Sequence, residues 1–165
     1  MISRELYEIR KKEKESHALD FLTVGSMGHA SQIALGYAMR AKKKVVCLDG
    51  DGAFLMHMGG VATIGDIGLS NFTHILLNNQ VHESVGGQRT TSQIINYSEI
   101  ARACGYKKIF TKINNLSKLK SVLKRVKKIN GLKFIECIVD PGHRKNLGRP
   151  KESPVENKKA FMRKL

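Results

Sequence analysis

Two short apolar runs set the pattern of this chain. Val45-Val46-Cys47-Leu48 ends in Asp49-Gly50-Asp51-Gly52, and His74-Ile75-Leu76-Leu77 ends in Asn78-Asn79. Uninterrupted apolar runs of this length, bounded by turn residues, read as strands buried on both faces. The stretch between them, AFLMHMGGVATIGDIGL, reads as a core helix with Met56 and Met58 as packing residues. Its glycines at 59, 60, 65 and 68 blur its ends. Laid parallel in one sheet, the two strands put both polar ends on a single edge, where open α/β sheets bind ligands.

The rest of the chain repeats this alternation. Residues 3–15 read as an exposed helix capped by Ser3, and 21–24 as a short buried strand running into Gly25-Ser26-Met27-Gly28. Residues 29–41 read as a helix in which Gly36 permits close approach of a neighbour. Residues 80–97 show little periodicity and read as a long functional loop. A short helix over 98–104 is capped by Ser98, and a strand follows at about 107–111. Leu116, Leu119, Val122, Leu123, Val126 and Ile129 trace the apolar face of a helix that starts at Ser117 and stops before Gly131. Its lysine-rich opposite face reads as solvated. A last strand spans 133–139. The pattern predicts a three-layer α/β/α fold with a mostly parallel sheet, a single domain over 1–165. Its basic C-terminal tail, 142–165, wraps the surface or docks on a partner.

Composition narrows the class. The chain has 165 residues, 41% of them hydrophobic, enough for a sizeable core. No apolar run approaches the roughly 20 residues of a membrane span, and the charged N-terminus lacks a signal peptide's apolar segment. A cytoplasmic protein without membrane contact is the expectation. Cys47, Cys104 and Cys137 lie far apart without CxxC spacing, so buried thiols are expected rather than disulfides or a zinc site. The net charge of +15 fits an acidic partner, anionic ligands or a lysine-rich surface. Only 6% of residues are aromatic and no recognition motif is present, so nucleic acid is not an expected partner.

Asp51 and Asn79 stand 28 positions apart at the ends of consecutive strands. A carboxylate, a carboxamide and glycine-flanked backbone suit a magnesium ion and a bound phosphate. GDG followed by NN at this spacing resembles the metal-binding motif of the thiamin-diphosphate enzyme family. The resemblance implies that Asp51, Asn79 and the backbone carbonyl of Val81 hold Mg²⁺, which bridges the diphosphate oxygens. Gly50, Gly52 and Ala53 would lie along the diphosphate, the last two offering backbone N–H groups. Gly25, Ser26 and Met27 match a turn whose bulky apolar residue, here Met27, props the cofactor into a bent shape. His82 is a candidate for proton transfer. Glu83 and Ser84 follow it towards the thiazolium edge, and His29 is a candidate beside the diphosphate. Arg144, Lys145 and Arg149 could attract an anionic substrate, although a solvated tail explains them more simply.

The resemblance extends over nearly the whole chain. SRELYEIR, DFLTVGSMGHASQIALG, VVCLDGDGAFLMHMGG, HILLNNQVHESVGGQ and LGRPKESPVENK resemble segments of phosphonopyruvate decarboxylases, with sulfopyruvate decarboxylases next in kind. Arg89 departs from the pattern, which has proline there. The implied activity is thiamin-diphosphate- and Mg²⁺-dependent decarboxylation of 3-phosphonopyruvate to phosphonoacetaldehyde and CO₂. The alternatives are the sulfopyruvate equivalent and a non-catalytic half-domain. Family enzymes pair a diphosphate-binding domain with an aminopyrimidine-binding domain that supplies an activating glutamate. This chain matches the first, and none of its glutamates matches the second. An aminopyrimidine-binding subunit or domain on another chain, in a hetero-oligomer, is therefore expected.

Overall fold

The two apolar runs become neighbours in a four-stranded parallel sheet. The strands, in chain order, are β1 (Val45–Gly50), β2 (Phe72–Asn78), β3 (Val81–His82), β4 (Gln88–Arg89), β5 (Lys108–Ile113) and β6 (Lys133–Ile138). The main sheet has the order β1-β2-β6-β5, and β3 and β4 form a separate antiparallel hairpin. The structure, a computed structural model, describes residues 1–164. The chain divides into two compact units, Met1–Met27 with Gly142 onward, and Gly28–Pro141.

In the second unit the sheet is covered on both faces. Helices α2 (Ala30–Ala38), α3 (Asp51–Met56), α4 (Gly59–Ile67) and α5 (Tyr97–Ala103) pack on one side. Leu35, Phe54, Ile64 and Tyr97 meet Phe72, Leu76 and Phe134 of the sheet there. Phe54 and Tyr97 meet edge to face at 5.1 Å. On the other side α6 (Leu116–Val126) sets Val122 and Val126 on Ile75, Ile113 and Ile135. Each fully buried side chain of this kind contributes about 1.5–3 kcal/mol. The result is the three-layer α/β/α arrangement with parallel strands that the alternation of runs predicts.

One polar group lies inside the first of these cores. His74 is fully buried, with Nε2 3.2 Å from Asp49 Oδ2 and Nδ1 3.1 Å from the Tyr106 hydroxyl. Both ring nitrogens are thus paired, which makes the burial tolerable. Cys47 stands beside this group, and burial pushes its thiol well up from the ordinary range. Cys47 and Cys137 are buried as expected, whereas Cys104 is only partly so, and all three are free thiols.

In the first unit, α1 (Ile2–Lys12) and α7 (Pro154–Met162) are the helices. Ser153 and Glu156 close a capping box at the start of α7, with Pro154 in the first turn. The C-terminal stretch thus carries a helix of its own. The helix holds Phe161 edge-on to Phe21 at 5.4 Å. Asn157 donates to the carbonyl of Asp20 and accepts from the Leu22 amide, each at 3.0 Å. These bonds occupy the backbone where a strand over 21–24 was expected, and no strand forms there.

Other expectations change in detail. The helix after Gly52 is two helices, broken at His57 and ended at Gly68, whose φ of +64° gives a left-handed C-cap. Met56 and Met58 are exposed rather than packed. Asn96, not Ser98, caps α5, and Asn115 caps α6 ahead of Ser117. Gly36 faces open space, and no neighbour makes the close approach that was expected there. Among the described residues no helix is long and apolar enough to cross a membrane.

Candidate metal and cofactor site

Parallel pairing of β1 with β2 sets Gly50 opposite Leu77. Asp51, just past β1, and Asn78-Asn79, at the end of β2, therefore emerge on one edge. Asp51 opens α3 and is 1% exposed. Its Oδ2 accepts from the hydroxyls of Thr90 and Ser92, each at 2.6 Å. The Ser92 oxygen also lies 2.6 Å from the Tyr97 hydroxyl, which burial above all pushes up to about 12. Two hydroxyls, one of them backed by Tyr97, thus anchor one side of a buried carboxylate and leave Oδ1 facing the other way.

What Oδ1 faces is unusual. The carboxamide oxygen position of Asn79 lies 3.1 Å from Asp51 Oδ1 and 3.0 Å from the Val81 carbonyl oxygen. Three acceptors cannot bond one another. Without a cation, the amide can turn end for end and donate to both oxygens. With a cation at the centre, all three oxygens become ligands. Octahedral magnesium at about 2.0–2.1 Å from each oxygen sets adjacent ligands about 2.9 Å apart, close to the spacing here. The outward amide nitrogen of Asn79 reaches Glu83 Oε2 at 3.3 Å, which favours the oxygen-inward form. Donor type and spacing both fit a small, hard dication.

The turn that aims these oxygens passes through Gln80, at φ +63°. The Gln80 amide donates to Asn78 Oδ1 at 3.3 Å, and its carbonyl accepts from the Thr90 amide at 2.9 Å. Expected as a long functional loop of little periodicity, 80–97 contains the β3–β4 hairpin, with one turn of 3₁₀ helix inside its connection and another after β4. Gly86 and Gly87, at φ +115° and +75°, make its turn possible. Arg89 pairs with Val81 across this hairpin, and its side chain bonds Gln93.

His82 packs its ring against Gly52, where a Cβ would collide with Nδ1. Nδ1 is buried and, among the described residues, has no hydrogen-bond partner. A polar atom left so next to a carboxylate site is consistent with a missing ligand. Gly28 is held equally tightly. Its φ is +86°, and a Cβ would meet His57 and lie 3.1 Å from the Ala53 carbonyl oxygen. His29 and His57 stack with centroids 4.4 Å apart.

Of the residues expected to form the site, the second unit brings together Gly50, Asp51, Gly52, Ala53, Asn79, Val81 and His82. Gly25, Ser26 and Met27 belong to the first unit. Gly25 has φ +81° there, and the Ser26 amide closes a turn on the Thr23 carbonyl at 3.2 Å. Arg144 is paired with Glu5 at 2.8 Å, and Lys145 and Arg149 are exposed. Thr90, Ser92, Tyr97, Gln80 and Glu136 shape the site and carry no signal in the sequence beyond a run of hydroxyls at 90–92.

A doubly covered parallel sheet with an aspartate and an asparagine turn on its carboxyl edge has the form in which open α/β sheets bind ligands. Residues 2–137 match the family model "Thiamine pyrophosphate enzyme, C-terminal TPP binding domain", and the chain belongs to this family. It is 37% identical over 159 residues to the phosphonopyruvate decarboxylases of Streptomyces viridochromogenes and Streptomyces hygroscopicus. That alignment covers 96% of this chain but 38% of each relative. The sulfopyruvate decarboxylase subunit beta of Methanococcus maripaludis is 34% identical over 160 residues, covering 97% of this chain and 82% of that one. Among solved structures, an enzyme from Mycobacterium smegmatis assigned to the thiamin diphosphate-dependent class shares the fold. Its TM-score is 0.55 at 23% identity, over 72% of this chain and 23% of that one.

Proposed function

We propose that this chain is the diphosphate-binding half of a thiamin-diphosphate- and Mg²⁺-dependent 2-oxo acid decarboxylase. The proposed substrate is 3-phosphonopyruvate, converted to phosphonoacetaldehyde and CO₂. The observation that carries the reading is the Asn79 carboxamide set between Asp51 Oδ1, at 3.1 Å, and the Val81 carbonyl oxygen, at 3.0 Å.

In this reading Asp51, Asn79 and Val81 hold Mg²⁺, which neutralises the diphosphate. Thiamin diphosphate, when bound, supplies the electron sink for loss of CO₂. Gly52, bare of side chain, makes room for the His82 ring, and its backbone N–H would face the diphosphate. His82, with Nδ1 unpaired, is the chain's candidate for holding or passing a proton at the reaction edge. The glutamate that activates the cofactor comes from an aminopyrimidine-binding partner. Support for a partner comes from length: the chain spans 38% of the Streptomyces decarboxylases.

A second substrate has its own support. The Methanococcus relative is a separate beta subunit, matched over 82% of its length, and is named for sulfopyruvate. Both substrates are 2-oxo acids ending in a tetrahedral anion. CO₂ release should be measured for the chain alone and mixed with a candidate partner, on each substrate in turn. Turnover is expected only in the mixture, with phosphonopyruvate preferred. Turnover by the chain alone would sink the two-chain reading, and a preference for sulfopyruvate would reassign the substrate.

A further inference from the structure

The metal reading uses Asn79 and leaves its neighbour unexplained. Asn78 is 4% exposed at the end of β2. Its Nδ2 donates to Glu136 Oε1 at 3.2 Å, while its Oδ1 accepts from the Gln80 amide at 3.3 Å. Glu136 is 8% exposed on β6, in the central part of the sheet, and its Oε2 accepts from the Thr111 hydroxyl at 2.8 Å. A carboxylate buried in a sheet is costly, and an apolar residue in its place is often the more stable choice. Its presence there points to a task other than stability.

The task is visible in Gln80. A φ of +63° is disfavoured for any residue with a side chain. Yet this conformation turns the Asn79 carboxamide and the Val81 carbonyl to the same side, against Asp51. The bonds that hold it form a continuous path. Glu136 fixes Asn78, and Asn78 holds the Gln80 amide. The Gln80 carbonyl takes the Thr90 amide, and the Thr90 hydroxyl reaches Asp51 Oδ2. The two asparagines therefore divide the work. One faces the cation, and the other keeps the turn in a shape that offers two oxygens to it.

We infer that Glu136 and Asn78 are positioning residues for the metal site, acting through the left-handed turn at Gln80. Neither touches the cation. The inference rests on the metal reading above, and the test separates the two.

Mn²⁺ serves as the probe, since it shares the octahedral oxygen preference of Mg²⁺. Its uptake by the full chain in the presence of thiamin diphosphate is read from the loss of the free-ion EPR signal. Glu136→Leu is expected to weaken uptake by about tenfold or more, as loss of an outer-shell partner does. Glu136→Gln, which can still accept from Asn78, is expected to stay within about threefold of the parent. Adding Gln80→Gly to Glu136→Leu removes the penalty on positive φ and should recover part of the lost affinity. A purely structural role would lower the melting temperature without any recovery from the glycine. If Glu136→Leu does not fold, Asn78→Ala buries no new bulk and carries the same expectation. Unchanged Mn²⁺ uptake in folded Glu136→Leu or Asn78→Ala, or no gain from Gln80→Gly, overturns this inference alone. A parent chain that takes up no Mn²⁺ overturns the metal reading, and this inference falls with it.

Discussion

Asp51→Asn is expected to weaken Mg²⁺-dependent binding of thiamin diphosphate by more than about 100-fold, beyond the loss typical of an outer-shell partner. The substitution conserves size, so the loss is one of charge and lone pairs. The hydroxyls of Thr90 and Ser92 both donate to Oδ2 and can rotate to accept from an amide instead. On the Oδ1 side, an asparagine offers either a neutral oxygen or an N–H that repels the cation. The chain itself should stay folded. Removing a charge that is 99% buried tends to be neutral or favourable when no ion is bound. Calorimetric titration with thiamin diphosphate and MgCl₂, beside a thermal melt of the same sample, reads both halves. Parent-like cofactor affinity in Asp51→Asn would remove the site from Asp51.

The largest effect on stability is expected at a glycine far from this chemistry. Gly65 on α4 lies so close to the end of α5 that a Cβ would run into the Cys104 carbonyl oxygen. The obstacle is backbone, and it cannot swing aside as a side chain could. Gly105, at φ +97°, closes the same contact from the other side. Gly65→Ala should cost about 3 kcal/mol or more, through forced separation of two packed elements. Gly36→Ala makes the control. Its Cβ meets nothing within 4 Å, and the gain in helix propensity should stabilise by about 0.5–1 kcal/mol. Urea denaturation of both variants would show opposite shifts in midpoint. A Gly65→Ala midpoint equal to the parent's would mean that the two elements separate freely.

These glycines also mark how much of the fold could be read from the chain. β1 and β2 were legible because a strand buried on both faces leaves an unbroken apolar run. Asp51 and Asn79 stood out as candidates because they lie within three residues of the ends of those runs. A glycine's neighbours have no such trace, so Gly36 and Gly65 exchanged roles between sequence and structure. The oxygen at Val81 belongs to the backbone, which any residue type could supply, and only the family resemblance pointed to it. Thr90 and Ser92 reach Asp51 across 39 and 41 positions, from a hairpin whose strands are two residues long. Strands that short create no periodicity, and 80–97 therefore looked featureless. At 21–24 the apolar run was real, but Asn157 claimed its backbone from 135 positions away.

The anchoring of Asp51 Oδ2 has a consequence for which ion can be held. With that oxygen committed to two hydroxyls, the carboxylate can grip a metal through one atom only. Calcium gathers six to eight oxygens and often takes a carboxylate through both, whereas magnesium is content with single contacts and waters. A two-oxygen grip would break two buried hydrogen bonds, each worth about 1.5–3 kcal/mol when a charge is involved. Calcium should therefore compete poorly with Mn²⁺ for the chain, and efficient displacement in a competition titration would contradict it. Discrimination by ion size would then be set by Thr90 and Ser92, two side chains that never touch the ion.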